Sequence, residues 1–152
     1  MASERLHVLF HDLTGSIGGI ATLSQICVAY ITKFNMDRLE GQFKEGLSTT
    51  FKNIAAYHDR IAENLNLTLN VLAEIDSKGT AVVLESAIKR ELKTAKENYS
   101  NAEMAYSELL KSDTKENLLI FAERLKKLEP ICDSMLTAIA EAKDRLATQG
   151  KY

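Results

Sequence analysis

The sequence predicts an all-α fold, an antiparallel up-down-up-down bundle of four long helices, on three observations. Apolar residues recur at alternating three- and four-residue steps along almost the whole chain. Turn-forming clusters interrupt that repeat at only three places. No strand is needed to account for any segment. One domain over 1–152 follows, because each helix carries an apolar stripe that needs the others to cover it.

The first helix is expected over about 3–34, with the stripe Leu6, Phe10, Leu13, Ile17, Ile20, Cys27, Ile31 and Phe34. Ser3 is its expected N-cap, and Asn35-Met36-Asp37 supplies a turn and a fresh cap. The second helix, about 37–76, carries Phe43, Leu47, Phe51, Ile54, His58, Ile61, Leu65, Leu69 and Leu72. It should stop at Asp76-Ser77-Lys78-Gly79, whose glycine suits the left-handed position after a helix. The third, about 80–111, bears Ala81, Leu84, Ile88, Leu92, Ala95, Tyr99, Ala102, Tyr106 and Leu109, and its alanines predict a close helix approach. It yields at Lys111-Ser112-Asp113, where Asp113 with Glu116 three residues on reads as a capping-box variant. The fourth, about 114–147, carries Leu118, Phe121, Leu125, Leu128, Cys132, Met135, Ile139, Ala142 and Leu146. Its Pro130 lacks a backbone donor and predicts a kink or break.

Composition bounds the function. With 45% hydrophobic and 26% charged residues over 152 positions, the chain has the balance of a soluble globular protein. Nineteen basic against 21 acidic residues leave a net charge of -2, so no overall field recruits nucleic acid, and none is expected as a partner. Cys27 and Cys132 both fall on core stripes, where a thiol acts as a small hydrophobe; an intracellular, cytoplasmic location is expected. The first turns hold Glu4, Arg5, His7 and Asp12, unlike a secretion signal. Between Asp12 and Lys33 run twenty residues without a charge, long enough to span a bilayer, yet rich in Thr, Ser, Gln and Gly. In architecture and in this Gly-rich apolar first helix, the chain loosely resembles helical pore-forming bundles, which implies a first helix that is released to insert.

The sharpest chemical candidate is the run Phe10-His11-Asp12-Leu13-Thr14-Gly15-Ser16-Ile17-Gly18-Gly19-Ile20. It resembles the H-box of histidine-kinase dimerisation hairpins and of histidine phosphotransfer proteins. The resemblance implies that His11 is the nucleophile, phosphorylated on a ring nitrogen, and that Asp12 orients the imidazole and accepts a proton. The chain departs from that pattern at Ser16, where proline is common in the kinase form, at Gly15, where that form usually has a polar residue, and at Thr14, where lysine is common in phosphotransfer domains. No ATP-binding domain follows, so the resemblance implies phosphotransfer rather than autophosphorylation.

Other constellations are weaker. His7 and His11 share a helix face and His58 is within reach of a bundle core, but the Glu-x-x-His pairs of di-iron bundles are missing, and neither metal nor cofactor is expected. His58, at a core position, should bond a neighbouring side chain or reach solvent at a bundle end. Lys89, Arg90, Lys93 and Lys96 form a basic ridge, a candidate patch for anions or acidic membranes, diluted by Glu85, Glu91 and Glu97. The sequence therefore predicts a non-enzymatic adaptor or scaffold that binds protein partners through helix-in-groove contacts or self-associates as a homodimer. The alternatives are phosphotransfer through His11 and membrane action through the first helix.

Overall fold

The computed structural model describes residues 2–33, 38–39 and 41–152, and among these the regular secondary structure is helical, with no strand. Five helical segments follow one another: α1 (Ala2–Thr32), α2 (Gly41–Glu74), α3 (Lys78–Lys111), α4 (Lys115–Lys126) and α5 (Leu128–Thr148). The expected turn at Asn35-Met36-Asp37 and the stripe residue Phe34 lie outside the described residues; Arg38 and Leu39 are described and not helical, so the second helix, expected from about 37, begins at Gly41.

The apolar repeat is the core. Leu6, Phe10, Leu13, Ile17, Ile20 and Cys27 of α1 are fully buried, as are Leu47, Ile54, Ile61 and Leu72 of α2 and Leu118, Phe121, Leu125, Cys132, Met135 and Leu146 of α4 and α5. Removal of this apolar surface from water is the main favourable term in folding. α1 packs on α2, α4 and α5, and α3 packs on the same three segments. Specific pairs mark the register. Arg5 bonds Glu74 at 2.8 Å and Asn64 bonds Ser16 at 3.3 Å between α1 and α2. Phe51 meets Tyr106 at 5.3 Å and His58 meets Tyr99 at 5.5 Å between α2 and α3. Arg124 reaches the Asn101 carbonyl at 2.9 Å, and Gln25 reaches Glu129 at 3.1 Å.

Several expectations need correction. Ser3 lies inside α1, which begins at Ala2, so it is not the cap. Phe43 is 45% exposed. It sits in the first turn of α2 and meets Tyr30 edge-on at 6.2 Å outside the core. α2 ends in a Schellman arrangement in which Asp76, not glycine, takes the left-handed backbone with φ 55°. Ser77 N–H donates to the Leu72 carbonyl and Asp76 N–H to that of Ala73. Gly79 instead enters the first turn of α3, which starts at Lys78. Thr114, not Asp113, caps α4, its hydroxyl accepting from Asn117 N–H at 3.1 Å.

Pro130 has the effect its chemistry demands. A helix running through it would need a donor to the Lys126 carbonyl, which proline lacks. The helix breaks at Lys127, and Pro130 becomes the third residue of α5, where no intrahelical donor is needed. α1 is the one described helix that is long and apolar enough to cross a membrane, a test that a packed core helix also passes.

Candidate functional site

His11 follows buried Phe10 and precedes buried Leu13, and that phase turns its imidazole outward: the side chain is 89% exposed. Its Nδ1 lies 3.7 Å from Asp12 Oδ1. One turn on, the Ser16 hydroxyl donates to the Asp12 carbonyl at 3.0 Å and accepts from Asn64 Nδ2 at 3.3 Å. This chain of bonds ties the histidine-bearing turn of α1 to α2.

The α2 side was not foreseen from sequence. Tyr57, Arg60, Glu63 and Asn64 join His11, Asp12, Gly15 and Ser16 around a shallow cleft of about 420 Å³. Gly19 makes room for the Tyr57 ring that lines it: a Cβ at residue 19 would lie 2.5 Å from Tyr57 Cε1, so only glycine lets the ring lie against α1 as it does. The Arg60 guanidinium stacks over that ring, 4.9 Å from its centroid. Gly15 has open space beside it and leaves the surface low next to His11. The signal in the sequence was the spacing 57, 60, 64 along the shoulder of the α2 stripe. What it lacked was the α1–α2 register.

The groove continues toward Arg5 and Glu74. There Val8, Leu9, Leu67 and Val71 line a second hollow of about 550 Å³. Val8 is 60% and Leu67 46% exposed, so an apolar surface adjoins the histidine cleft.

The other histidines are placed differently. His7 stacks on Tyr152 with ring centroids 4.2 Å apart. His58 is buried, which corrects the expectation of a side chain reaching solvent, and its Nε2 has no hydrogen-bond partner. Burial, and then the charge of Lys96, hold its pKa below the usual imidazole value, against an opposing pull from Asp59. Among the described residues no three His, Cys, Asp or Glu side chains gather as a metal site.

Burial pushes both the Cys27 and Cys132 thiols up to about 12, so both stay protonated at neutral pH and unsuited to nucleophilic chemistry. Tyr99, whose hydroxyl donates to the Phe51 carbonyl at 3.0 Å, is likewise pushed up to about 12 by burial and by the charge of Glu103.

The basic ridge is partly neutralised in place. Lys89 bonds Glu85 at 2.6 Å and Arg90 lies 3.5 Å from Glu91. Lys93 and Lys96 flank a shallow hollow with Lys89, Leu92 and Glu97. Such exposed pairs add little stability, and their carboxylates weaken the ridge as an anion site. A separate apolar surface lies between α3 and α4, where Met104 and Ile120 line a hollow with Arg124.

Compared with known proteins, the chain matches no family model, no curated protein and no solved structure.

Proposed function

We propose that this chain is a histidine phosphotransfer protein, with His11 as the phosphoryl carrier. The observation that carries the reading is the outward, 89% exposed imidazole with Asp12 beside its Nδ1, at the edge of a cleft open to a docking protein. Asp12 favours the tautomer with the proton on Nδ1, which leaves the lone pair of Nε2 free. Nε2 attacks the phosphorus of an acyl phosphate. The N–P bond forms as the P–O bond to the acyl oxygen breaks, and the electron pair leaves with the carboxylate. Positive charge left on the ring is held by Asp12, which can take the Nδ1 proton. The apolar surface around Val8 and Leu67 gives the donor protein a place to dock beside the histidine.

The same proposal takes the helices as an antiparallel up-down-up-down bundle, with α4 and α5 sharing the fourth rod. It is supported by register: partners of rising residues in one helix fall in number in the next, as Arg5–Glu74 and Ser16–Asn64 do, or Phe51–Tyr106 and His58–Tyr99. A closed bundle leaves His11 on an outer face of one chain.

Incubation with phosphoramidate, a small phosphoryl donor, tests the chemistry. The wild-type chain should gain one acid-labile, alkali-stable phosphate, and His11→Gln should gain none. Label that persists in His11→Gln contradicts the reading.

A second reading, an adaptor that self-associates, draws on the α3–α4 surface, where Met104 is 64% exposed and Ile120 lines the same hollow. Sedimentation equilibrium decides it: a dimer abolished by Ile120→Glu supports it, and a monomer at all concentrations removes it.

A further inference from the structure

We infer that Arg60 is the cation that receives the phosphoryl group on His11, held in place by Tyr57 against Gly19; the inference rests on the phosphotransfer reading above. Electrostatics in the cleft motivates it. A phosphoryl group placed on His11 would bring up to two negative charges to a cleft already lined by the carboxylates of Asp12 and Glu63. Like charges at that range oppose the phosphorylated state unless a cation joins them. α1 offers none nearby. Its one arginine, Arg5, is engaged by Glu74 at 2.8 Å. Arg60 is the one cation among the residues that line the cleft.

Its setting suits that role. Among the described residues Arg60 forms no ion pair; it lies over the Tyr57 ring at 4.9 Å, which restrains the side chain while leaving its N–H groups for an oxyanion. Guanidinium presents a planar fork that meets two phosphoryl oxygens at once, and a pre-positioned fork loses less freedom on binding. The ring can take this position because residue 19 has no Cβ, which would otherwise sit 2.5 to 2.8 Å from three ring atoms. Gly19, Tyr57 and Arg60 therefore act in series. Tyr57 is a positioning residue, Gly19 makes room for it, and Arg60 touches the phosphoryl group.

The test uses the full chain, phosphoramidate as donor and 31P NMR as readout. Wild type should give one phosphohistidine resonance that is absent in His11→Gln. Arg60→Gln should be labelled about tenfold more slowly, the effect of losing one charge-assisted contact of roughly 1.4 kcal/mol. Its phosphoryl group should also titrate at higher pH than in wild type, because no neighbouring cation favours the dianion. Arg60→Lys should restore the titration and part of the rate. Tyr57→Leu should fall between wild type and Arg60→Gln, whereas Tyr57→Phe should match wild type.

The titration is a readout that a purely structural role for Arg60 would not move, and circular dichroism confirms the fold of each variant. Phosphorylation of wild type with identical rate and titration in Arg60→Gln overturns this inference and leaves the carrier role of His11 intact. No phosphohistidine in wild type overturns both.

Discussion

Two parts of the core are built on opposite principles. Where α2, α3 and α4 meet, large rings fill the space: Phe51 stacks on Tyr99 at 4.8 Å and meets Phe121 edge-on at 4.9 Å, with Tyr106 at 5.3 Å from both Phe51 and Phe121. Where α1 meets α2 near the candidate site, the contact is made by small residues. Gly19 takes the Tyr57 ring against the helix, and Ser16 bonds Asn64. The aromatic cluster excludes water and anchors the fold. The glycine and serine seam is shallow, polar and partly open, and it holds the outward histidine. Damage to the first should therefore appear as lost stability, and damage to the second as lost chemistry with modest stability change.

Phe51→Ala removes a ring that is 2% exposed and touches three others, and should destabilise by about 3 to 5 kcal/mol. In a chain of this size that is a melting temperature lower by roughly 6 to 20 °C, read by calorimetry. A change of less than about 1 kcal/mol would mean that the cluster does not anchor the fold.

Gly19→Ala strikes the seam. The added methyl must push Tyr57 outward, and because that ring is half-buried and can turn, the expected loss is about 1 to 2 kcal/mol. A stabilised variant would show that no close approach exists at that level.

His58 gives a smaller, pH-dependent effect. Its folded pKa is depressed, so below the unfolded value of about 6.5 the unfolded chain binds the proton more readily than the folded one. Stability due to this group is complete above about pH 6.5 and falls as pH drops below it. The charged groups that act on it are Lys96 from α3, which opposes protonation, and Asp59 from its own helix, which favours it. His58→Leu should flatten denaturation midpoints between about pH 6.5 and 5; an unchanged slope would place the titration elsewhere. The Arg5–Glu74 pair acts in a separate window, since Arg5 lowers the Glu74 pKa and that contribution disappears only as pH falls below the ordinary carboxylate range.

The smallest stability effect belongs to His11→Gln. The side chain is 89% exposed and packs on nothing that the fold needs, so the midpoint should move by less than about 0.5 kcal/mol.

The same contrast explains what could be read from the sequence. The stripes were legible because burial in a helix repeats every three to four residues, and the break near Pro130 because a missing donor is written in the residue itself. Helix ends were less legible. Asp76 and Gly79 both suit a left-handed position, and Asp113 and Thr114 both suit a cap, so tertiary contacts made the choice. Phe43 read as core because periodicity does not say where a partner helix stops.

His11 and Asp12 were visible as a local motif. Arg60 and Tyr57 were not, because their meaning depends on the level at which α2 crosses α1, and one sequence carries no record of that.

The outward histidine of the small-residue seam is the proposed phosphoryl carrier. Its most direct test is the site of attachment, read by 31P NMR and by mass spectrometry of peptides kept at alkaline pH after phosphoramidate treatment. The expected result is a single N–P bond, on Nε2 of His11, in a chain whose melting temperature is that of the untreated protein. Phosphate on His7, on a hydroxyl, or on no residue at all would contradict it.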